Sequence, residues 1–577
     1  MTNQDIARIF YHIADILEIQ NADPFRVRAY REAATVIEGL IKEVAETYKE
    51  AGLKGLMDIP SVGKELAFKI EELVRRNKLD FYTALKKEIP AGLLEIMGLE
   101  GVGPKKTRFV WKKFKVKTVR DLERLCRGGA LLKQKGWGQK TVDNILRAVH
   151  LHREYGKRKP IGVAYPVAHA IRAALLKSGY AKAVEIAGSL RRMREDVGDI
   201  DILAISKKPK QLIDVFAAHP EVKTVLAKGP TKCMVVLKNG IEADLRVVEP
   251  DELGAGLFYF TGSKQFNVRT REMAIRKGLT INEYGIFKGT SEHKGKRVAA
   301  RTETAVFRAI GLPYISPELR EDRGEIDAAL ERRLPSPIER VDIKGDLHVH
   351  TTWSGDGHNT PLEMIRAAKA RGLKYIAITD HASPLGMLKG IKPHNYKKYI
   401  ADIRAAAKKV PGIRVLVGAE VDILPDGKIY LPNYVLKELD WTVASVHTAF
   451  KQSKEKITQR IVRAMRNPHI SAIGHLTARI VGRREPTLLD VPAALAAAKE
   501  TNTALEINAS WYRLDLNDLH CRMAKSADVK LVMSTDSHDE DAFDFAFGLG
   551  TARRGWIEAR DVLNTLPFER FVKEMKK

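Results

Sequence analysis

Cysteines, long apolar runs and acidic side chains are the scarce features of this sequence. Three cysteines, Cys126, Cys233 and Cys521, lie far apart and show no paired spacing, so a reducing cytoplasm fits. No apolar run approaches the ~20 residues of a membrane-spanning helix. The start, MTNQDIARIF, lacks the basic and apolar regions of a secretory signal. These absences predict a cytoplasmic protein with no membrane partner.

Basic residues outnumber acidic ones. The chain has 98 Lys and Arg against 72 Asp and Glu, a formal net charge of +26, and most of the excess lies in residues 1–340. A polyphosphate partner accounts for this charge, and an anionic membrane surface is the competing explanation. With 577 residues and a hydrophobic fraction of 44%, the chain is expected to form about three to five globular domains.

The stretch Val184–Ser206 predicts a strand, a glycine turn, a basic segment and a second strand. Asp199 and Asp201 lie two residues apart on that second strand, so both carboxylates point the same way. Two such carboxylates repel unless a hard divalent cation such as Mg2+ neutralises them. Upstream, Gly188 and Ser189 let a triphosphate approach the backbone beside a pair of arginines. The alternative is an ordinary surface strand whose acidic residues face solvent.

A third carboxylate, Asp244, follows a predicted hairpin. The runs Cys233–Lys238 and Ile241–Val248 flank Asn239-Gly240, a strong signal for a tight turn, so Asp244 lies on the returning strand. Three aspartates on adjacent strands can hold two metal ions, one to activate an attacking hydroxyl and one to stabilise the leaving pyrophosphate. Nucleotidyl transfer needs that arrangement.

The segment Tyr259–Phe287, together with GSLRR and GDIDILAI, resembles the family X DNA polymerases, close to the DNA polymerase beta pattern, over roughly residues 1–315. The resemblance implies that the catalytic ligands of Mg2+ or Mn2+ are Asp199, Asp201 and Asp244. It implies nucleotide or template contacts from Gly188, Ser189, Arg192, Gly198, Tyr259, Phe260, Gly262, Asn267 and Arg271. Lys264 departs from the pattern, since the best-known member has an acidic residue there. Without their neighbours, Tyr259 and Phe260 are equally compatible with simple core aromatics.

Three segments resemble helix-hairpin-helix motifs, in which the N–H groups that open the second helix bind a DNA phosphate. They are residues 57–74, 97–114 and 131–146. A lone Gly-x-Gly is more often a plain turn, but three glycine turns that each lead into a basic helix predict sequence-independent binding of the DNA backbone. The candidate DNA-binding residues are Val62, Gly63, Gly101, Val102, Gly103, Lys105, Gly136, Gly138 and Lys140.

Lys69 lies in the first of these basic helices. The resemblance places a lyase nucleophile here, because a lysine of the polymerase beta branch forms a Schiff base with an abasic sugar. Phe25 and Glu65, however, stand where that branch has basic side chains. A lysine on a solvated helix face is the alternative, and we expect weak or absent 5′-deoxyribose-phosphate lyase activity.

From Val341 the pattern becomes alternating strand and helix. Seven apolar runs each end in a polar group of residues: DLHVHTTWSGDG, ITDHA, GAEVD, SVHT, GHLT, EINAS and STDSH. A barrel of the TIM type builds its site from polar residues at the ends of successive parallel strands. Ten of the sixteen histidines lie in this region, and histidines at one strand end after another predict metal ligands.

These runs resemble the PHP domain, the polymerase and histidinol phosphatase module, over residues 341–577. The resemblance implies nine ligands for up to three Zn2+, Mn2+ or Fe ions: His348, His350, Asp356, His381, Glu420, His447, His475, Asp536 and His538. Imidazoles suit these metals, and bridging carboxylates hold them close enough to activate a water against a phosphoester. Because all nine are present, we expect a live hydrolase. Arg513, after EINAS, is a further candidate contact for a substrate phosphate.

The fold expected from these patterns is multidomain. It comprises all-α helix-hairpin-helix domains, an α+β nucleotidyltransferase palm with a thumb-like domain, and a C-terminal α/β distorted (βα)7 TIM-like barrel. The predicted domains are two helical DNA-binding domains, the palm, a nucleotide- and template-binding segment, a linker and the barrel, at residues 1–80, 81–155, 156–248, 249–317, 318–340 and 341–577 respectively.

The function expected is that of a family X DNA polymerase that fills gaps in repair, with a PHP phosphoesterase acting as a 3′-to-5′ exonuclease. A 3′-phosphatase or an abasic-site endonuclease activity is a further option for the barrel. The expected partners are gapped or nicked DNA and dNTPs, and the expected state is a nucleoid-associated monomer. Two alternatives remain, a small-molecule phosphatase of the histidinol phosphate type and a non-catalytic DNA end-binding protein.

Overall fold

The described residues of the first part of the chain form helices and no strand. The computed structural model describes residues 1–575, except 2, 41, 91, 98, 100, 101, 135, 136, 140, 147, 148, 150–157, 291, 292 and 387–389. It divides into two units, Met1–Lys157 and Arg158–Lys577. The helices of the first unit are α1 (Asn3–Gln20), α2 (Pro24–Gly39), α3 (Val44–Met57), α4 (Lys64–Arg76), α5 (Asp80–Glu88), α6 (Gly92–Met97), α7 (Gly103–Phe114) and α8 (Val119–Arg127). Residues 141–146 are also helical.

Local sequence accounts for these helices. α2 begins where Asp23 accepts a hydrogen bond from the backbone N–H of Phe25, with Pro24 in the first helical position. Phe10 and Tyr30 meet edge to face in the core, with ring centroids 5.4 Å apart. This apolar packing of α1 against α2 is what the helical spacing predicts, and the all-α part of the predicted fold is confirmed.

The second unit begins with a five-stranded sheet, flanked by helices. Its elements are β1 (Lys159–Pro160), α9 (Ile161–Lys177), β2 (Ala183–Ile186), α10 (Gly188–Arg191), β3 (Asp196–Val197), β4 (Asp199–Ile205), α11 (Pro209–Ala217), β5 (Val222–Lys228), β6 (Lys232–Leu237) and β7 (Glu242–Val248). The strand order is β2-β4-β7-β6-β5, and only the β4–β7 pair is parallel. β6 and β7 pair antiparallel through the predicted tight turn, where Gly240 has φ +83°. We call this part the palm.

A smaller mixed segment follows the palm. It contains α12 (Leu253–Thr261), α13 (Lys264–Arg276), β8 (Leu279–Asn282), β9 (Gly285–Gly289), β10 (Lys294–Ala299), α14 (Glu303–Ala309) and α15 (Glu325–Leu330). The three strands form an antiparallel sheet in the order β10-β9-β8. Its core continues beyond Ile315 to Ile326 and Ala329, so apolar side chains of the charge-rich stretch 318–340 are packed against it.

Parallel strands and helices alternate over the remainder of the chain. They are β11 (Gly345–Val349), α16 (Pro361–Ala370), β12 (Tyr375–Ile378), β13 (His381–Ala382), α17 (Tyr396–Lys408), β14 (Arg414–Asp422), α18 (Asn433–Leu436), β15 (Trp441–Ser445), α19 (Lys454–Met465), β16 (Ala472–Ile473), α20 (Val491–Glu500), β17 (Ala504–Asn508), α21 (Asp518–Ser526), β18 (Leu531–Ser534), α22 (Ala546–Arg554) and α23 (Phe568–Glu574).

These strands form a nearly closed barrel. Their order is β11-β12-β14-β15-β16-β17-β18, every pair is parallel, and β13 pairs with β14. A parallel bridge from Val349 to Ser537 links the first strand to the segment after the last. The strands read as continuous apolar runs because helices cover their outer face and side chains fill the interior. The predicted barrel is therefore confirmed. Among the described residues, no helix is both long and apolar enough to cross a bilayer.

Candidate functional site

The palm sheet brings the three predicted aspartates onto neighbouring strands. Asp199 and Asp201 lie at the start of β4, and Asp244 lies on β7. The parallel ladder pairs Asp201 directly with Asp244, so their side chains leave the same face of the sheet. The predicted hairpin put Asp244 on the returning strand, β7, but did not by itself place that strand beside β4.

Electrostatics within this trio favours a bound cation. Burial, followed by the charges of Asp199 and Asp244, raises the pKa of Asp201 to about 7. Burial also raises the pKa of Asp199. One carboxylate oxygen of Asp244, Oδ1, is buried without a hydrogen-bond partner. A divalent cation would supply that partner and remove the repulsion, so the donor set fits a hard metal ion such as Mg2+.

The three carboxylates do not converge on one point in this structure. The Nζ of Lys232 lies 3.0 Å from Oδ2 of Asp244, and a guanidinium nitrogen of Arg246 lies 3.6 Å from the same oxygen. Among the described residues, groups of three or more potential ligand atoms within 4.8 Å of one another occur only in the barrel. Lys232 and Arg246 thus pair with Asp244 through Oδ2, and its Oδ1 has no hydrogen-bond partner.

A glycine brings a phosphate-binding candidate close to the aspartates. Gly188 has φ +64°, and a Cβ placed there would lie 2.4 Å from Oδ2 of Asp201. Only glycine therefore allows this backbone to pass the carboxylate. The hydroxyl of Ser189 is buried and lacks a hydrogen-bond partner. Gly198 lies at the turn between β3 and β4, next to Arg158.

The other predicted nucleotide contacts lie on α12 and α13. Tyr259 and Phe260 form the last turn of α12, and Gly262 ends that helix with φ +69°. The guanidinium of Arg246 lies over the Phe260 ring, 4.5 Å from its centroid. Asn267 donates from its amide to the carbonyl of Tyr259 at 2.7 Å.

Arginine side chains join this segment to the palm. The Nη1 group of Arg192 donates to the carbonyl of Thr261, and its Nε group donates to Glu321 at 3.0 Å. Arg191 makes a two-pronged contact with Glu303. Arg271 is exposed on α13 and belongs to none of these contacts. The structure thus gathers the Gly188 turn, Arg192 and the Gly262 turn in one place.

In the barrel, the nine predicted ligands come from one end. All lie at or just after the carboxyl ends of strands, where a parallel barrel collects its functional groups. The members are His348, His350, Asp356, His381, Glu420, His447, His475, Asp536 and His538. Most are buried, and the parallel pairing of β13 with β14 sets His381 beside Glu420.

Three overlapping groups of these side chains could each hold a metal ion. They are His350, Asp356, His381 and His538; His348, His350 and Asp536; and His381, Glu420 and His447. His475 belongs to none of them, but its Nε2 lies 3.0 Å from Oε1 of Glu420. The Nε2 atoms of His348, His350 and His447 are buried without hydrogen-bond partners, and each lies 3.3–3.4 Å from a carboxylate oxygen of Glu420 or Asp536. Unpaired buried imidazole nitrogens facing carboxylates fit transition-metal ions.

The sequence analysis did not identify two carboxylates that lie behind the histidines. Oε1 of Glu506 lies 2.7 Å from Nδ1 of His348, and Oδ1 of Asp422 lies 2.6 Å from Nδ1 of His447. Such partners fix the ring orientation and leave Nε2 directed at the metal. Both residues lie within quoted strand-end runs, EINAS and GAEVD, but spacing alone does not show which ring each faces.

The charges of the barrel site are mutually compensating. Although burial opposes it, Glu420 and Asp356 raise the pKa of His381 to about 10. Burial, followed by the neighbouring His538 and His381, lowers the pKa of His350 well below its usual range. The His381 ring, which lies beside two carboxylates, is thus favoured as imidazolium. The His350 ring, which lies beside other histidines, is favoured as neutral imidazole. A cation can replace those protons when the site is loaded.

Arg513 lies at the edge of the barrel site. Its Nε lies 3.2 Å from Oδ2 of Asp536, and its Nη1 is buried without a partner. A guanidinium nitrogen so placed is available to an anionic ligand.

The first unit positions part of the predicted DNA-binding set. Gly63 precedes α4 and Gly103 opens α7, and a Cβ at either position would meet open space. Val62 and Val102 are buried in the helical core, so they offer backbone rather than side-chain contacts. Lys105 and Gly138 are exposed. The predicted contacts Gly101, Gly136 and Lys140 lie outside the described residues.

Lys69 is largely shielded on α4. Its Nζ pairs with Glu65 and lies 5.0 Å from the centre of the Phe81 ring, and only 13% of its side chain is exposed. The lysine is therefore neither a free nucleophile nor fully solvated, and its lyase role stays a prediction.

Three protein-family models match the chain. They are a helix-hairpin-helix domain at residues 1–79, a DNA polymerase beta thumb at residues 256–321, and a PHP domain at residues 346–510. Each model falls on the corresponding part of the structure: the helical unit, the segment after the palm, and the barrel.

Curated relatives agree with these matches. The DNA polymerase/3′-5′ exonuclease PolX of Bacillus subtilis is 34% identical, over 98% of this chain and 97% of its own length. A probable phosphatase of Caldanaerobacter subterraneus is 33% identical over 35% of this chain and 81% of its own length. A probable phosphatase of Thermoanaerobacter is 31% identical over 38% of this chain and 89% of its own length. On the match that spans both units, the chain belongs to the PolX family, the family X DNA polymerases that carry a C-terminal PHP domain.

Proposed function

We propose that this chain is a repair DNA polymerase that fills short gaps and that trims DNA 3′ ends with its barrel. The observation that carries the proposal is the presence of two separate acidic or histidine-rich sites, one on a palm sheet and one at the carboxyl ends of a parallel barrel. The relative that spans 98% of the chain is named both a polymerase and a 3′-5′ exonuclease. One chain with two sites accounts for both parts of that name.

In the palm, Asp199, Asp201 and Asp244 would hold Mg2+ or Mn2+. When bound there, such ions activate the primer 3′ hydroxyl and stabilise the charge that develops on the pyrophosphate. The Gly188 backbone approaches the aspartates closely enough for a triphosphate to reach them. The Ser189 hydroxyl, which lacks a partner, and the Arg192 guanidinium would then donate to its oxygens.

The segment after the palm would orient the sugar and the base. Gly262 ends α12 beside Arg192, and Asn267 ties α13 to the carbonyl of Tyr259. These contacts keep the Tyr259 and Phe260 rings at the mouth of the nucleotide site. Arg271, which is exposed one helical turn beyond Asn267, is available to the template.

In the barrel, the nine strand-end side chains would hold up to three transition-metal ions such as Zn2+, Mn2+ or Fe. When bound there, such ions turn a water into a nucleophile for a phosphoester. Glu506 and Asp422 orient the rings of His348 and His447. Arg513 would bind the phosphate that is cut, since its Nη1 has no protein partner.

The helical unit would hold DNA without reading its sequence. Open backbone before α4 and at the start of α7, followed by basic side chains, suits phosphates rather than bases. Gapped or nicked duplexes with dNTPs are therefore the proposed substrates, and a monomer is the proposed working state.

A narrower function, that of a small-molecule phosphatase, has one observation in its favour. The probable phosphatases among the relatives match about a third of the chain each. A phosphatase function alone does not account for the palm, its aspartates or the helix-hairpin-helix motifs. A 3′-phosphatase or abasic-site endonuclease activity of the same barrel would use the same ligands and fits within the proposal.

The test is a single incubation of the purified chain with a labelled one-nucleotide gapped duplex. Samples with and without dNTPs are compared in Mg2+ and then in Mn2+, and histidinol phosphate turnover is measured in parallel. We expect primer extension with dNTPs and primer shortening without them. Gap binding with neither reaction would identify a non-catalytic end-binding protein. Turnover confined to histidinol phosphate would identify the small-molecule phosphatase.

A further inference from the structure

A buried chain of alternating charges runs from the palm's nucleotide candidate Arg192 into the barrel. Glu321 accepts from Nε of Arg192 at 3.0 Å and from Nη1 of Arg554 at 2.7 Å. Arg554 lies at the end of the barrel helix α22, and its Nη2 donates to Asp518 at 2.8 Å. The side chains of Arg554, Glu321 and Arg192 are only 4%, 10% and 12% exposed. Charges this poorly solvated persist only when each has its partner.

Within this network, Glu321 and Arg554 hold each other ionised. Burial opposes ionisation of Glu321, but Arg554 and Arg192 lower its pKa to about 2. Burial likewise opposes Arg554, but Asp518 and Glu321 raise its pKa above the usual range. Removing one member would therefore leave its partner buried and unpaired, which is the costly case for ion pairs.

The main chain at Arg192 and Met193 also contacts the barrel. Nη1 of Arg554 donates to the carbonyl of Arg192 at 3.0 Å. The next residue, Met193, has φ +53° and packs on Gly550, where a Cβ would lie 2.7 Å from the Cβ of Met193. Gly550 and Arg554 are four residues apart on α22 and so share one face of that helix. One barrel helix thus supports both the main chain and the guanidinium partner of Arg192.

The bonds of Arg192 direct its remaining nitrogen. Nε is used by Glu321 and Nη1 by the carbonyl of Thr261, which immediately precedes the Gly262 turn. A planar guanidinium fixed through two of its nitrogens has its third nitrogen fixed as well. That nitrogen, Nη2, takes part in neither of these bonds.

We propose that Arg554 of the barrel, acting through Glu321, positions Arg192 for the incoming nucleotide, so that the barrel helps to build the polymerase's nucleotide site. Arg554 and Glu321 are positioning residues, since neither is placed against the substrate itself. The inference rests on the proposed role of Arg192 at the triphosphate. It explains why the joint between palm and barrel is charged and buried rather than merely apolar.

The test uses the full chain and measures KM and kcat for the nucleotide in one-nucleotide gap filling with Mg2+. The variants are Arg554→Lys and Glu321→Gln, each checked by thermal unfolding. Loss of a buried charge-assisted hydrogen bond predicts that the nucleotide KM rises about tenfold or more, while kcat changes less than about threefold. Glu321→Gln keeps an acceptor and the side-chain shape, so it remains informative if Arg554→Lys folds poorly.

The matched control changes a different ion pair between the palm and the barrel. Glu195 of the palm, three residues after Arg192, accepts from Arg479 of the barrel at 2.6 Å, and no hydrogen bond or ion pair found among the described residues joins it to Arg192. Glu195→Gln should leave the nucleotide KM unchanged. In an Arg192→Lys background, Arg554→Lys should add less than about twofold, because the guanidinium it positions is already gone.

The outcomes separate the inference from the function it rests on. A raised KM in Arg192→Lys with an unchanged KM in both Arg554→Lys and Glu321→Gln would overturn the inference alone. An equal rise of the nucleotide KM in Glu195→Gln would mean that any weakening of the contact between palm and barrel raises KM, which would overturn the specific role of Arg554 and Glu321. An unchanged KM in Arg192→Lys would overturn the role of Arg192 in the proposed function, and the inference with it.

Discussion

The candidate metal sites of the palm and of the barrel are built from different side chains. In the barrel, imidazoles and carboxylates already lie within 4.8 Å of one another, and Glu506 and Asp422 fix the rings from behind. In the palm, the candidate ligands are all carboxylates, and Lys232 pairs with Asp244. The comparison teaches that imidazoles and carboxylates attract one another and so lie together, whereas carboxylates alone repel one another.

The comparison also concerns access. The barrel ligands are mostly buried, which suits ions that stay through many turnovers. Asp199 is exposed as a residue and Asp201 is only partly buried, although desolvation of both carboxylates raises their pKa values. Loss of activity at one site should therefore leave the other site active, and the two activities should be lost under different conditions.

The largest expected effect is a reciprocal loss of activities. Asp201→Ala should lower nucleotide addition by about a thousandfold or more and spare primer shortening. His348→Ala combined with His350→Ala should do the reverse, because the rings serve only the barrel. Both reactions are measured on one labelled gapped duplex. A single lesion that removed both activities from a folded chain would break the two-site comparison.

The next effect concerns the support of the barrel ligands. Glu506→Gln should weaken metal binding by about ten- to a hundredfold, because Nδ1 of His348 loses its carboxylate partner. Metal titration of primer shortening measures this, and excess metal should restore the rate. Glu500→Gln, an identical change at the exposed end of α20, is the control. A loss that no metal concentration repairs would assign Glu506 to the chemistry itself.

A smaller effect follows from the titration of the palm. Burial and the neighbouring Asp199 and Asp244 raise the pKa of Asp201 to about 7, so a proton occupies this carboxyl as pH falls below that value. At limiting Mg2+, nucleotide addition should decrease about tenfold for each pH unit below this pKa, and tenfold more Mg2+ should move the midpoint down by about one unit. If the pH midpoint of nucleotide addition did not change with the Mg2+ concentration, the titrating group would not be Asp201.

The smallest effect is expected at Lys69. Its Nζ is engaged by Glu65 and shielded by Phe81, so borohydride trapping on DNA with a 5′ abasic sugar should be weak or absent. Lys69→Ala should change gap filling less than about twofold. Efficient trapping in the parent chain that disappears in Lys69→Ala would contradict this prediction.

Much of the fold could be read from the sequence, because the patterns are local. The Asn239-Gly240 turn fixed the antiparallel pairing of β6 and β7, and the repeated polar strand ends predicted the barrel and its face. The parallel pairing of β4 with β7, which sets Asp201 opposite Asp244, needed the family resemblance and then the sheet register to become specific.

What the sequence could not supply are contacts between residues distant along the chain. Glu506 meets the Nδ1 of His348 across 158 positions. Arg554 meets the carbonyl of Arg192 across 362 positions. No spacing encodes such pairs, since they depend on how one packed layer is seated on another.

The most direct test of the account is where cations bind in the palm. Anomalous scattering from Mn2+ in crystals of the full chain with gapped DNA and a non-hydrolysable nucleotide locates them without reference to activity. The account predicts manganese density bridging Asp199, Asp201 and Asp244, with Lys232 displaced from Asp244. Density confined to the barrel, with the three palm carboxylates left as they are here, would contradict it.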